Sequence, residues 1–280
     1  MHTEKVSIII PTYNSEKFIE TTLKSVINQS YNNIELIVID GESRDKTNTI
    51  INKYIKYISV YKSEKDKNMY DAINKGMKQI TGGIWACLNS DDFYVDSQII
   101  EKTVNLFNKY PDVNIITHNI VKVDENNNII KLRKLFPISY ASLRAFCHSS
   151  IMHQPSTFLR TCIIRKHGFF DQNLNYTSDY DYFLRILKNN KMHYSGLYST
   201  AFRMHSGSIT CTSGESMDRE RKSVLERHTL FPLVKMILRP WLYFKYLMLN
   251  KMENNSRNKK KIQKQIRTII NQAVTFPKKI

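Results

Sequence analysis

Two adjacent carboxylates, Asp91 and Asp92, stand where an apolar run, residues 84–88, breaks off in the stretch LNSDDF. A buried strand that delivers paired acids to its carboxyl end places them where open α/β sheets bind ligands. Side by side the two charges repel, and a cation that reaches them relieves the repulsion. The expected chemistry is a divalent-metal site for a phosphate-bearing substrate. The competing structural role is an Asp-Asp turn ahead of a helix that begins near Ser97. Other strand ends offer comparable groups, Tyr13 after the first apolar run and Asp40 at the close of the second. With the acid pair these suit a base, a ribose and a metal, and a buried acid such as Asp40 requires a donor partner.

The elements that must position these groups follow from hydrophobic periodicity. Residues 6–10 form a short apolar run stopped by Pro11, which predicts a buried parallel strand ending in a loop. A helix is expected from Ser15, with Phe18, Ile19, Leu23, Val26 and Ile27 on one face. Strands at 34–39, 58–61 and 84–88 then alternate with helices at about 46–57 and 69–80. That order implies right-handed crossovers and a mostly parallel sheet with helices on both faces. After Tyr110 the alternation weakens. Residues 115–123 and 129–132, separated by Asn126, Asn127 and Asn128, read as antiparallel strands. A strand near 156–159, a helix closed by Gly168, a helix from Ser178 carrying Asp179, Asp181 and Arg185, and a strand over 192–205 complete the reading.

Composition bounds the function classes. The chain has 280 residues, 41% of them hydrophobic and 11% aromatic, enough for a sizeable core. Its net charge of +17 is concentrated at the end, where residues 215–280 hold 16 Lys and Arg against 5 Asp and Glu. An α/β catalytic domain over 1–214, split near 110 into a nucleotide half and an acceptor half, followed by a basic helical tail over 215–280, is the expected organisation. No GxGxxG follows the first strand, which argues against a dinucleotide enzyme such as an epimerase or dehydrogenase. Four cysteines, Cys87, Cys147, Cys162 and Cys211, lack CxxC spacing, as expected of a reduced, cytoplasmic protein without metal at sulfur, a disulfide pair being the alternative. The N-terminus does not read as a signal peptide, and no run of about 18 apolar residues is present.

Five stretches, PTYN at 11–14, VIDGESRDKT at 38–47, SEKDKNMYDAINKG at 63–76, LNSDD at 88–92 and SDYDYFLRI at 178–186, resemble in order and spacing the family 2 glycosyltransferases of the GT-A fold. With HQPSTF at 153–158, the forms are similar to bacterial enzymes that build capsular, exopolysaccharide or O-antigen chains. The resemblance implies an inverting transfer of a hexosyl or N-acetylhexosaminyl group. The donor would be a nucleotide sugar, by family habit a UDP-sugar, and the acceptor a saccharide or lipid-linked saccharide. Mn²⁺ or Mg²⁺ would be the cofactor. It further implies that Pro11 and Tyr13 pack around the base, that Asp40 bonds the uracil or ribose, and that Lys67 and Asn68 approach the nucleotide. Asp71 and Asn74 would line the donor sugar, Asp91 would face ribose or sugar, Asp92 the metal, and Asp179 would be the catalytic base. Asn89 stands where the family's first DxD acid is usual, and Ser178 where an acid often precedes the base.

His153 and Gln154, among polar residues before a strand, are candidate contacts for the acceptor or a diphosphate. His205 at a strand end is a candidate for diphosphate or metal. Residues 229–250 are apolar but interrupted by Lys235, Arg239 and Lys245, with a Pro240 kink. Together with the cations to Arg267 they are expected either to lie on an anionic membrane surface, peripheral to the inner face of the cell membrane, or to pack on the catalytic domain or a second subunit in a homo-oligomer. Nucleic-acid signatures are absent, so no nucleic-acid partner is expected. The reading from another class is a catalytically silent sugar-nucleotide-binding subunit that scaffolds an assembly complex.

Overall fold

The computed structural model describes residues 4–135, 152–228 and 256–272, together with Tyr140 and Leu143. Nine strands form one sheet in the order β3-β2-β1-β4-β8-β6-β9-β5, with β7 paired to β6. The first half is β1 (Val6–Thr12), α1 (Ile19–Ile27), β2 (Ile34–Asp40), α2 (Thr47–Asn52), β3 (Val60–Ser63), α3 (Met69–Met77) and β4 (Ile84–Cys87). β1 pairs in parallel with β2 on one edge and β4 on the other. Strand order therefore reverses at β1, and the crevice at the carboxyl ends of β1 and β4 is where such a sheet admits a ligand.

The period-two alternation of the buried strands divides the core between two faces. Ile9, Ile37, Ile39, Trp85 and Cys87 face α3 and a later helix, while Ile8, Ile10, Leu36, Val38 and Ala86 face the other side. Helix α3 lies so close to β1 that a Cβ at Gly76 would come within 2.5 Å of Ile9. Only glycine allows that approach without moving the strand.

The second half is β5 (Phe93–Tyr94), α4 (Ile99–Lys109), β6 (Ile115–Val123), β7 (Ile129–Arg133), β8 (Thr157–Arg160), α5 (Cys162–His167), α6 (Ser178–Leu187), β9 (Met192–Arg203), α7 (Ile209–Thr212), α8 (Gly214–Arg227) and α9 (Ser256–Gln272). Here the sheet is mixed: β8 runs antiparallel to β4 and β6, and β9 runs parallel to β6. Gly168, at φ 70°, ends α5 in a conformation that suits glycine.

Several boundaries differ from the periodicity. Helix α1 starts at Ile19 rather than Ser15, because the Ser15 hydroxyl bonds Ser90 at 2.7 Å instead of capping the helix. The short strand β5 was not anticipated, since two residues leave no period to read. The expected boundary at 214 falls ahead of α8, whose Val224 is buried in the main core. Within α8 the Glu220 carboxylate accepts from the backbone N–H groups of Asn175, Tyr176 and Thr177, each at 2.8 Å. The packed body of the fold therefore continues through α8. The apolar segment 229–250 lies outside the described residues, and among the described ones no helix is long and apolar enough to cross a membrane.

Helix α9 turns its apolar side onto the far end of the sheet. Ile262 and Ile266 pack with Phe93, Val121, Val123 and Leu132, and Gln263 accepts from Ile129 N–H. We expect Ile266→Ala to lower unfolding stability by roughly 2–5 kcal/mol in urea titration. A loss below about 0.5 kcal/mol would mean that α9 is not docked in solution.

Candidate active site

A cleft of about 1010 Å³ opens along the carboxyl ends of β1, β2 and β4. The wall expected to take the nucleotide is built by loops that hold one another. Asn14 N–H donates to Ser43 Oγ at 2.8 Å, and Asn14 Oδ1 accepts from Arg44 N–H at 2.8 Å. Asn14 and Glu42 sit at φ 48° and 61°, conformations costly for residues with a Cβ, and both line the cleft. Asp40 organises this wall from behind. It is fully buried, and its carboxylate accepts from Ser43 N–H, from the Ser43 hydroxyl and from the Ser63 hydroxyl at 2.6 Å. The donor partners that a buried acid requires are thus supplied by the chain itself. This corrects the expectation that Asp40 meets the ligand, since the cleft surface there is Gly41, Glu42 and Asp66.

Pro11, Tyr13, Lys67, Asn68 and Asp91 do line the cleft, as do His153, Gln154, Asp179 and His205. Asp71 and Asn74 do not. Asn74 is buried and clamps Phe170, donating to its carbonyl at 2.9 Å and accepting from its N–H at 3.0 Å. The Asp71 carboxylate accepts from Gln172 at 2.9 Å and from Lys67 N–H at 3.0 Å. Both fasten α3 to the loop before α6, which corrects their expected contact with the donor sugar. Asn68 caps α3 by accepting from Asp71 N–H at 3.1 Å, and its amide donates to the carbonyl of Gln172.

The acid pair divides in the opposite sense to the expectation. Asp92 is 1% exposed and lies behind the cleft wall. Its carboxylate accepts from Arg203 N–H at 3.0 Å and from the Asn89 amide at 3.2 Å. Burial, reinforced by the neighbouring Asp91 charge, pushes this carboxyl well above the usual range. Asp92 is absent from the cleft lining, so the structure does not set it at the surface where the metal was expected of it. Asp91 faces the cleft and accepts from His205 Nε2 at 3.0 Å through one oxygen. Arg203 holds this arrangement: its Nε donates to the Asp91 carbonyl at 2.8 Å and its Nη1 to Asn127 at 2.6 Å, while its guanidinium lies over Phe18 at 4.5 Å.

Among the described residues no cluster of three or more His, Cys, Asp or Glu is present. Asp91 and His205 offer one carboxylate oxygen and one imidazole nitrogen at the cleft surface. The carboxylate fits Mn²⁺ or Mg²⁺ in the mode where phosphate oxygens and water supply the remaining positions, and the imidazole would join only with Nε2 free of its bond to Asp91.

Asp179 begins α6. Burial raises its carboxyl to about 6, against the lowering effect of hydrogen bonds from Tyr180 N–H at 2.8 Å and Tyr70 OH at 3.2 Å. Both bonds fall on Oδ1, and the residue lines the cleft. The roles of Arg203, Tyr70 and Glu220 went unread in the sequence, because each acts on a partner 43 or more positions away. Gln154 donates to the Cys87 carbonyl at 2.8 Å, anchoring the segment that carries His153.

Residues 7–170 match the family described as Glycosyl transferase family 2. An uncharacterized glycosyltransferase of Rickettsia typhi is 30% identical over 222 residues, 74% of this chain and 66% of the relative's length. A protein of Escherichia coli, the UDP-Glc:alpha-D-GlcNAc-diphosphoundecaprenol beta-1,3-glucosyltransferase WfaP, is 30% identical over 229 residues, 78% of this chain and 84% of that protein. Among solved structures, S. aureus TarS 1–349 in complex with UDP-GlcNAc superimposes with a TM-score of 0.68 at 17% identity, covering 96% of this chain and 81% of TarS. The mannosyltransferase PcManGT from Pyrobaculum calidifontis, in complex with GDP-Man and Mn²⁺, gives 0.59 at 13% identity, with 98% and 88% covered. These structures share the GT-A architecture. The chain belongs to family 2 of the glycosyltransferases.

Proposed function

We propose that this protein transfers a sugar with inversion from a UDP-sugar to a hydroxyl of a saccharide or lipid-linked saccharide acceptor, in the synthesis of a bacterial surface polysaccharide. The observation that carries the reading is Asp179. Its carboxyl is raised to about 6, bound on one oxygen only, and lines the same cleft as Asp91. A base poised near neutrality is matched to taking a proton from a hydroxyl in the transition state. In that step Oδ2 of Asp179 accepts the proton as the acceptor oxygen attacks the anomeric carbon. The bond to the nucleoside diphosphate breaks on the opposite side, and the single displacement inverts the configuration.

Pro11, Tyr13 and Gly41 would enclose the nucleoside, and Lys67 and Asn68 would approach its phosphates. Asp91 and His205 would hold a divalent ion. Once bound, that ion neutralises charge on the departing diphosphate. The acceptor reading draws on the E. coli relative, named for a diphosphoundecaprenol-linked acceptor. A lipid-linked acceptor would give peripheral attachment to the inner face of the cell membrane a purpose. With Ile262 and Ile266 committed to the sheet, the exposed Lys260, Lys261, Lys264 and Arg267 of α9 would make that contact by charge alone.

Asp179→Asn should retain donor binding while transfer falls by about 10²–10⁴-fold, measured as release of UDP and formation of product. Because the folded protein holds this carboxyl above its unfolded value of 3.8, Asp179 stabilises the fold relatively at low pH and loses that contribution as pH rises through 6. The variant should therefore melt at a higher temperature than the parent at pH 8, with the two converging below pH 4. Near-normal turnover would remove Asp179 as the base.

Asp91→Asn should weaken binding of UDP in the presence of Mn²⁺ by about tenfold or more, read by calorimetry, with affinity in chelator unchanged. An unaltered response to Mn²⁺ would reassign the ion.

A further inference from the structure

Strand β6 places Lys122 opposite Phe202 of β9 on one side and opposite Lys131 of β7 on the other. Like charges facing each other across a ladder destabilise it, and Arg133 two positions along β7 adds to the field. Lys122 nonetheless turns inward: its Nζ sits 5.8 Å from the centre of the Phe202 ring and lines the cleft. Burial and the neighbouring cations depress its basicity. His153 meets the same ring at 5.8 Å, and its Nε2 is buried without a hydrogen-bond partner. Among the described residues no carboxylate pairs with Lys122, and Glu125 is the acid nearest it in sequence that shares the cleft. A half-buried ammonium and a buried ring nitrogen, both unpaired and both on one aromatic platform, are costly unless a ligand supplies the acceptor.

We propose that Lys122, His153 and Phe202 form an oxyanion pocket that takes the phosphoryl group of an acceptor whose sugar is carried on a phosphate or diphosphate ester. The proposal rests on the transferase reading for its choice of ligand. Strand alternation turns Phe202 to the face opposite Arg203, the residue that holds the main chain of Asp91. The pocket shares the cleft with the Asp91–His205 pair that would meet the donor's diphosphate. Its residues come from β6, β9 and the segment before β8, the half of the sheet that contributes nothing to the nucleotide wall. Ammonium and imidazole suit an oxyanion by charge-assisted hydrogen bonding, and the Phe202 face beside them suits the apolar start of a lipid or the flat side of a sugar.

The test uses the full chain, saturated with UDP and Mn²⁺ so that the donor's phosphate positions are filled, and decyl diphosphate as the probe in calorimetry. Decyl glucoside serves as the uncharged comparison. We expect the parent to bind decyl diphosphate, Lys122→Gln to weaken that binding by about tenfold or more, and Lys122→Arg to stay within about threefold of the parent. Affinities for UDP and for decyl glucoside should be the same in all three proteins. The proposal is overturned if the parent does not bind the diphosphate probe, if Lys122→Gln binds it normally, or if Lys122→Gln loses UDP binding in parallel, which would assign the pocket to the donor. Binding that depends on Lys122 in a protein that transfers no sugar from any nucleotide donor would uphold the pocket and reject the transferase reading.

Discussion

A guanidinium almost wholly removed from water holds the catalytic end of this fold together. Arg203 cannot shed its charge, so its donors need oxygens where it is buried. It finds them in the Asp91 carbonyl, the Glu125 carbonyl and the Asn127 side chain, with the rings of Phe18 and Phe93 against its faces. Those contacts join the end of β4, the β6–β7 turn and the start of α1. Its own N–H fixes Asp92. The direction in which Asp91 points into the cleft is set by this cation, and Gln263 of α9, by donating to the Asn127 carbonyl, brings the C-terminal helix into contact with the same turn.

The two acids of LNSDDF therefore play unlike parts although they are neighbours. One is buried and structural; the other, partly exposed, faces the cleft beside its partner His205. The same division recurs elsewhere. Asp40 braces the nucleotide wall, while the surface is left to Gly41, where a Cβ would stand 2.7 Å from the Asp66 carboxylate. Across the cleft Asp179 owes its raised affinity for a proton to burial, with Tyr70 as its hydroxyl partner. In each case the residue that looks most chemical in the sequence is reached through a partner that only folding supplies.

The parallel half of the sheet was legible because its strands are buried on both faces and read as unbroken apolar runs, so β1, β2 and β4 fell within two residues of expectation. Their carboxyl ends located the cleft, and Asp179 fell at the start of its helix. Sequence could not say which of Asp91 and Asp92 faces the ligand. That choice is made by the pairing of β5 with β9, which sets Asp92 beside a residue 111 positions away. Asp71 and Asn74 looked like ligand contacts for the same reason: their partners in residues 170–172 are distant in the chain. Lys122 gave no signal at all, since a lysine in an alternating strand ordinarily points to water.

On the proposed mechanism Asp179, unprotonated, starts the transfer. The most direct test is the pH dependence of kcat/KM for sugar transfer with Mn²⁺ and a lipid-diphosphate-linked acceptor. The rate should fall tenfold per pH unit on the acid side, with a midpoint near 6. A profile that stays flat from pH 5 to pH 8 would contradict it.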